Sequence, residues 1–160
     1  MRARDPAAKA VVFSQWTHML DLVGADLARR RWRFGRLDGK MSQRQRDDAL
    51  RSFAKEANMK VLLVSLKAGG VGLNLTAAST VFLLDPWWNP AVEDQAVDRV
   101  HRLGQTHPVV VKRFVVRGTV EEAMLALQEK KARMAQNALA SGALAQSTKL
   151  REEDLKLFFK

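Results

Sequence analysis

The sequence predicts an α/β fold built on a mostly parallel central sheet. Two observations carry this expectation. Short, β-branched apolar stretches alternate with longer segments whose apolar residues recur at helical spacing, as in strands joined by crossover helices. The run Lys60-Val-Leu-Leu-Val-Ser65 is almost continuously apolar, as a strand buried on both faces must be.

In chain order, residues 1–8 read as a polar leader. Lys9-Ala-Val-Val-Phe-Ser14 is the first strand. Met19, Leu20, Val23 and Leu27 then mark an amphipathic helix ending near Arg30. The basic run Arg29-Arg-Arg-Trp-Arg33 fits a phosphate-contacting patch, and equally cations solvated at a helix C-terminus. Arg33–Asp38 is the second strand. Ser42 and Gln45 form a capping box opening a helix with Ala49, Leu50 and Phe53 on its inner side.

Lys60–Ser65 and Thr80–Leu84 are the third and fourth strands, and Pro108–Val116 a fifth. The fifth mixes apolar and basic residues, which suits an edge position. Asn89 as N-cap and Pro90 at the first helical position open a helix from about Pro90 to Leu103, closed by Gly104. On that helix Gln95, Arg99 and Arg102 fall at i, i+4 and i+7, one face. Two guanidinium forks a turn apart suit a multiply charged anion. A solvated helix with Asp98 paired to Arg102 is the plainer possibility. Thr119 and Glu122 form a second capping box, starting a helix through about Ala140. Residues 141–160 read as a linker and a short terminal helix anchored by Leu155, Phe158 and Phe159.

Two glycine patterns resemble phosphate loops without meeting their requirements. Gly35-x-x-x-Gly39-Lys40 has one residue too few between its glycines, and Met41 stands where a P-loop needs Ser or Thr for magnesium. Gly70-x-Gly72 lacks a third glycine, because Leu75 occupies its place. Gly69, Gly70 and Gly72 nonetheless let backbone N–H groups approach a ligand closely.

Composition narrows the classes. There is no cysteine, so neither a disulfide framework nor a cysteine zinc site exists. His18, His101 and His107 have no metal-ligand spacing, and no metal site is expected. No apolar run approaches the roughly 20 residues of a membrane span, and the N-terminus lacks an apolar signal core. A reducing intracellular compartment and no membrane partner are the expectation. Net charge is +10, and residues 1–60 hold 14 Lys/Arg against 7 Asp/Glu. This concentration suits a polyanion, with DNA or RNA first in line.

Gln95-x-x-x-Arg99-x-x-Arg102-x-Gly104-Gln105 resembles motif VI of superfamily 2 helicases as used by SWI/SNF-type DNA translocases. Asp85-x-x-Trp88-Asn89-Pro90 resembles the motif just before it. Phe13-Ser14-Gln15 is similar to motif IV, Arg36-Leu-Asp-Gly39 with Arg46 to the family's Arg-Leu-Asp-Gly segment, and Lys67–Leu75 to motif V. The motifs stand in family order over nearly the whole chain. The C-terminal phrase Arg151–Phe159 is similar to that of the subgroup that includes the helicase-like transcription factor.

The resemblance implies a RecA-like three-layer fold over residues 9–118, with residues 119–140 as a helix packed on the lobe. It implies the second lobe of an ATP-dependent double-stranded-DNA translocase. Arg99 and Arg102 would be arginine fingers, with Gln95 beside them. Gly70, Gly72, Asn74, Gln95, Arg99 and Arg102 would face ATP, whose Mg2+ a first lobe holds. Ser14, Gln15, Arg36, Gly39, Lys40, Ser65, Lys67, Ala68, Gly69 and Trp88 would follow DNA, although packing a loop is the commoner role for a tryptophan like Trp88. Lys40 departs from the small hydroxyl residue usual at its position, which is either an added phosphate contact or neutral. Partners would be DNA, a first lobe in cis or trans, and nucleosomes or ubiquitin-ligase machinery. Localisation would be nuclear in a eukaryote and otherwise cytoplasmic. A stand-alone, non-catalytic DNA- or partner-binding module is the alternative. An RNA helicase lobe fits less well, because His101-Arg-Leu-Gly-Gln105 lacks the further arginine that usually closes that motif.

Overall fold

The computed structural model describes residues 8–68 and 72–140. The described elements are β1 (Ala10–Ser14), α1 (Thr17–Arg29), β2 (Arg33–Leu37), α2 (Gln43–Lys55), β3 (Met59–Ser65), β4 (Thr80–Leu83), α3 (Pro90–Asp98), β5 (Val110–Arg113) and α4 (Val120–Ala140). The strands form one parallel sheet in the order β2-β3-β1-β4-β5. β1 lies at its centre, pairing Val12 with Leu63 on one side and with Phe82 on the other. The expected leader (residues 1–7 of it) and the linker with its terminal helix lie outside the described residues.

Alternation along the strands builds two cores. Val11, Phe13, Leu62, Val64, Val81 and Leu83 join Phe53 of α2 and Ala96 of α3 on one side. Val12, Val61 and Leu63 join Leu20, Val23 and Leu27 of α1 on the other. The result is the parallel α/β sheet expected from the alternating elements, in the three layers that the resemblance implies.

Lys9 lies just before β1 rather than in it. Its ammonium is buried and donates to the carbonyls of Phe53 and Glu56, the latter at 2.9 Å. It thereby caps the C-terminus of α2, where carbonyls lack partners. Burial and the neighbouring Lys60 hold the Lys9 pKa below the ordinary lysine range, and the nearby Glu56 offsets only part of this.

α1 ends in a Schellman motif. The Trp32 N–H donates to the Leu27 carbonyl at 2.8 Å and the Arg31 N–H to Ala28 at 2.9 Å. Arg31 carries the left-handed conformation this needs, φ 57°, a position that glycine fills without steric cost. Arg31→Gly is therefore expected to stabilise the lobe by up to about 1 kcal/mol, read as a higher urea midpoint at unchanged slope. A lower midpoint would mean that the arginine side chain contributes more than its backbone costs.

Three expected boundaries are corrected. β5 covers Val110–Arg113, not residues 108–116, because its partner β4 offers only four residues for pairing. At α4 the Thr119 hydroxyl accepts from the Glu121 N–H, and the Glu122 carboxylate accepts from Gly118. The reciprocal box is thus displaced by one residue, whereas that at Ser42 and Gln45 is complete. The largest correction concerns α3, which stops at Asp98 instead of reaching Leu103. The Arg99 carbonyl accepts from Leu75 N–H at 3.0 Å and the Val100 carbonyl from Gln105 Nε2 at 3.2 Å. Just past Asp98 the Arg99 and Val100 N–H groups turn to the i−3 carbonyls of Ala96 and Val97, at 3.3 and 2.9 Å, so the α-helical ladder gives way to a tighter turn.

Candidate functional site

In an open parallel sheet, ligands bind beyond the carboxyl ends of the strands. Here those ends bring together Ser14, Ser65 and Asp38, with Asp85 just past β4. Ser14 is fully buried, and its hydroxyl donates to the Asp85 carboxylate. The Gln15 N–H donates to the same carboxylate at 2.9 Å. Asp85 thus brackets the turn after β1 to the turn after β4. Burial pushes the Asp85 pKa up, and the bonds from Ser14 and Gln15 offset this only in part.

After β2, Asp38 accepts from the Lys40 N–H and pairs with Arg36, both at 2.9 Å or less. Burial raises the Asp38 pKa, but the Arg36 and Lys40 bonds outweigh it and hold the carboxyl below its usual range. Arg36 also pairs with Asp21, so its guanidinium is already partnered within the lobe. Ser14, Ser65 and Ala68 are buried as well. The groups exposed at this edge are Gly39, Lys40 and Lys67, with Gln15 half-buried. Gly69 and Gly70 lie outside the described residues. Trp88 is half-buried, tilted against Trp87 at 6.0 Å, and covered by the Lys131 ammonium at 4.3 Å from its ring centre. That arrangement is the packing role.

The Asn89 side chain accepts from Ala91 N–H at 3.2 Å, with Pro90 opening α3 as expected. Gln95 and Arg99 share an open concavity of about 660 Å³ with Asn89, Ala91, Val92, Asp94 and Asp98. Arg99 Nε is buried and has no hydrogen-bond partner among the described residues. Arg102 lies beyond the helix in an exposed turn that ends at Gly104, φ 100°. One helical face therefore accounts for Gln95 and Arg99, and Arg102 reaches its position by the turn. Arg102 and Asp98 form no ion pair with one another among the described residues. Asn74 binds its own turn, accepting from the Thr76 N–H at 3.1 Å and hydroxyl at 2.8 Å. Gly72 beside it is exposed, with φ 29°.

An orphaned guanidinium N–H in the concavity, which Arg102 does not line but follows in an exposed turn, is donor chemistry that suits a polyphosphate. Among the described residues no group of three or more His, Cys, Asp or Glu converges as metal ligands.

Two connecting residues were given no role by the sequence: Gln105, present in the motif, and Glu93. Gln105 donates to the carbonyls of Thr76, Ala78 and Val100 at 2.8–3.2 Å, tying the segment after β3 to the end of the arginine turn. Glu93 is wholly buried on α3 and accepts from Trp87 N–H at 2.7 Å and Gln128 Nε2 at 2.6 Å. It also pairs with Arg113 at 2.6 Å. Glu93, Ala96, Val97 and Val100 stand at i, i+3, i+4 and i+7, so a carboxylate on an apolar stripe was the available signal.

Comparison with known proteins follows the same lines. The model of the helicase conserved C-terminal domain matches residues 3–104. The chain is 52% identical over 156 residues to DNA repair protein RAD5A of Arabidopsis thaliana, covering 98% of this chain and 15% of that protein. It is 50% identical over 152 residues to helicase-like transcription factor CHR28 of the same plant, covering 94% and 16%. DNA repair protein rad8 of Schizosaccharomyces pombe is 54% identical over 123 residues, 77% of this chain and 11% of that protein. The chain thus spans about a sixth or less of these relatives. The crystal structure of the C-terminal part of the Fun30 ATPase domain superposes with a TM-score of 0.74 at 29% identity, covering 92% of this chain and 41% of that one.

Proposed function

The chain belongs to the helicase conserved C-terminal domain family, and from that premise we propose that it is the second lobe of an ATP-dependent double-stranded-DNA translocase of the DNA-repair or chromatin-remodelling type. The observation that carries the proposal is the α3 concavity, where Gln95 lies beside an Arg99 whose buried Nε has no partner. Such a donor is costly unless an acceptor arrives, and Arg102 supplies a second guanidinium close by in sequence.

In this reading ATP contributes the phosphoryl group and its charge. Arg99 and Arg102 meet that charge from the second lobe, and Gln95 orients groups at its rim. The sequence contains neither a P-loop nor an acidic metal motif, and phosphoryl transfer requires both. A first lobe must therefore hold the nucleotide and its magnesium. The relatives' names, DNA repair protein and helicase-like transcription factor, support a nuclear setting, with nucleosomes and ubiquitin-ligase machinery as further partners.

DNA would run across the carboxyl edge of the sheet, past Gln15, Gly39, Lys40 and Lys67, and the chain's net charge of +10 favours such a polyanion. Binding by the 160-residue chain should be weak, non-specific and salt-sensitive. Affinity is expected to fall roughly tenfold or more between 50 and 200 mM salt, measured by fluorescence anisotropy on a labelled duplex. A Lys40→Glu, Lys67→Glu double variant should weaken it further and flatten the salt slope. Salt-independent binding, or an unaffected double variant, would remove this edge from the DNA path.

A further inference from the structure

We propose that Glu93 is a positioning residue that couples α4 to the arginines through the body of α3. The inference rests on the translocase reading above and adds to it a route by which α4 bears on nucleotide turnover.

At Glu93 four separate pieces of the lobe meet. Its carboxylate accepts from the Trp87 N–H in the turn after β4 and from Gln128 Nε2 on α4, and it pairs with Arg113 at the end of β5. Two N–H groups donate to Oε1 and the Arg113 guanidinium faces Oε2 as an ion pair, so both oxygens are engaged and the side chain is held in one orientation. Gln128 Nε2 also donates to the Trp87 carbonyl, so the amide and the carboxylate grip the same turn together. Around Gln128, Leu127 is fully buried and Lys131 covers Trp88. α4 is thus seated on the Trp87–Trp88 turn and on α3 by an apolar, a polar and a cationic contact.

The other end of this arrangement is the nucleotide face. α3 has nine residues, and a helix so short moves as one rod. Glu93 holds its inward side, while Gln95 and Arg99 line the concavity on its outward side. The Arg99 carbonyl is held by Leu75 N–H, so the helix is fixed at both ends. A buried ion pair is poorly suited to adding stability, because desolvation offsets most of the attraction. It is well suited to fixing direction, and misplacement of a catalytic group by an ångström costs about a hundredfold in rate.

The test uses a protein carrying both lobes. Glu93→Gln keeps the shape and an acceptor while removing the charge that Arg113 and Gln128 meet. At saturating DNA, kcat for ATP is expected to fall about tenfold or more, with KM for ATP within about twofold and the melting temperature close to wild type. Gln128→Leu removes only the α4 arm and keeps α4 packed, so it decides the matter should Glu93→Gln fold poorly. It is expected to lower kcat similarly, and the double variant should be no worse than the lower single. Glu129→Gln on the exposed side of α4 should match wild type. Wild-type kcat in Gln128→Leu, or additive losses in the double variant, would overturn the coupling. An Arg102→Ala protein assayed alongside separates the two readings: if it too turns over normally, the translocase assignment has failed, and if it is dead while the Glu93 and Gln128 variants are active, only the coupling has.

Discussion

Replacing Arg102 with alanine in a two-lobed protein is expected to reduce kcat for DNA-stimulated ATP hydrolysis by about 10³-fold or more, the scale of a lost arginine finger. Arg99→Ala should act in the same direction. KM for ATP should change far less, since in the proposed reading the first lobe would make the ground-state contacts and the guanidinium would meet charge that develops in the transition state. Arg102→Lys should not restore the rate, because an ammonium lacks the planar fork. DNA affinity should be nearly unchanged. An Arg102→Ala protein with weakened DNA binding and an intact saturated rate would make Arg102 a phosphate-track residue. The exposed position of Arg102 past α3, with no ion pair among the described residues, is what leaves it available to the first lobe.

The largest expected loss of stability comes from the sheet's centre. Phe13 has no exposed surface, stands in the middle strand, and faces the core shared by α2 and α3. Phe13→Ala should destabilise the lobe by about 3–5 kcal/mol, the range for a large aromatic removed from a core that relaxes only partly. Urea denaturation followed by circular dichroism measures it, with the midpoint falling and the slope preserved. A loss below about 1 kcal/mol would mean that neighbouring side chains collapse into the space.

The strands were legible because their patterning is strong. Val11 and Phe13 against Val12 already separate the two faces, and Lys60–Ser65 announces burial on both. The placement of the candidate residues was legible only in part. Gln95 and Arg99 do share a helical face, yet spacing alone extended that face to Arg102. Past Asp98 the chain tightens into a turn, which Leu75 and Gln105, residues 24 and 5 positions from the carbonyls they bind, hold in place. No local propensity encodes such a contact. Arg36 illustrates the same limit, since its charge looked available until Asp21, fifteen residues earlier, folded against it. Glu93 differs, because its place on an apolar stripe was visible and went unread.

The strand order has a consequence for how this lobe comes to exist. β1 is made first, yet it occupies the middle of the sheet, and its two neighbours are β3 and β4. Ala10 waits for Val61 on one side and Thr80 on the other. Every pairing in the sheet spans a long stretch of chain, which makes closure slow, since the entropy of each loop is lost before the contact rewards it. During synthesis the apolar segment Ala-Val-Val-Phe therefore has no strand partner until residues 59–65 have emerged. In that interval α1 alone can shelter one of its faces. The strand that ends best protected is the one most exposed to aggregation while the lobe is being made.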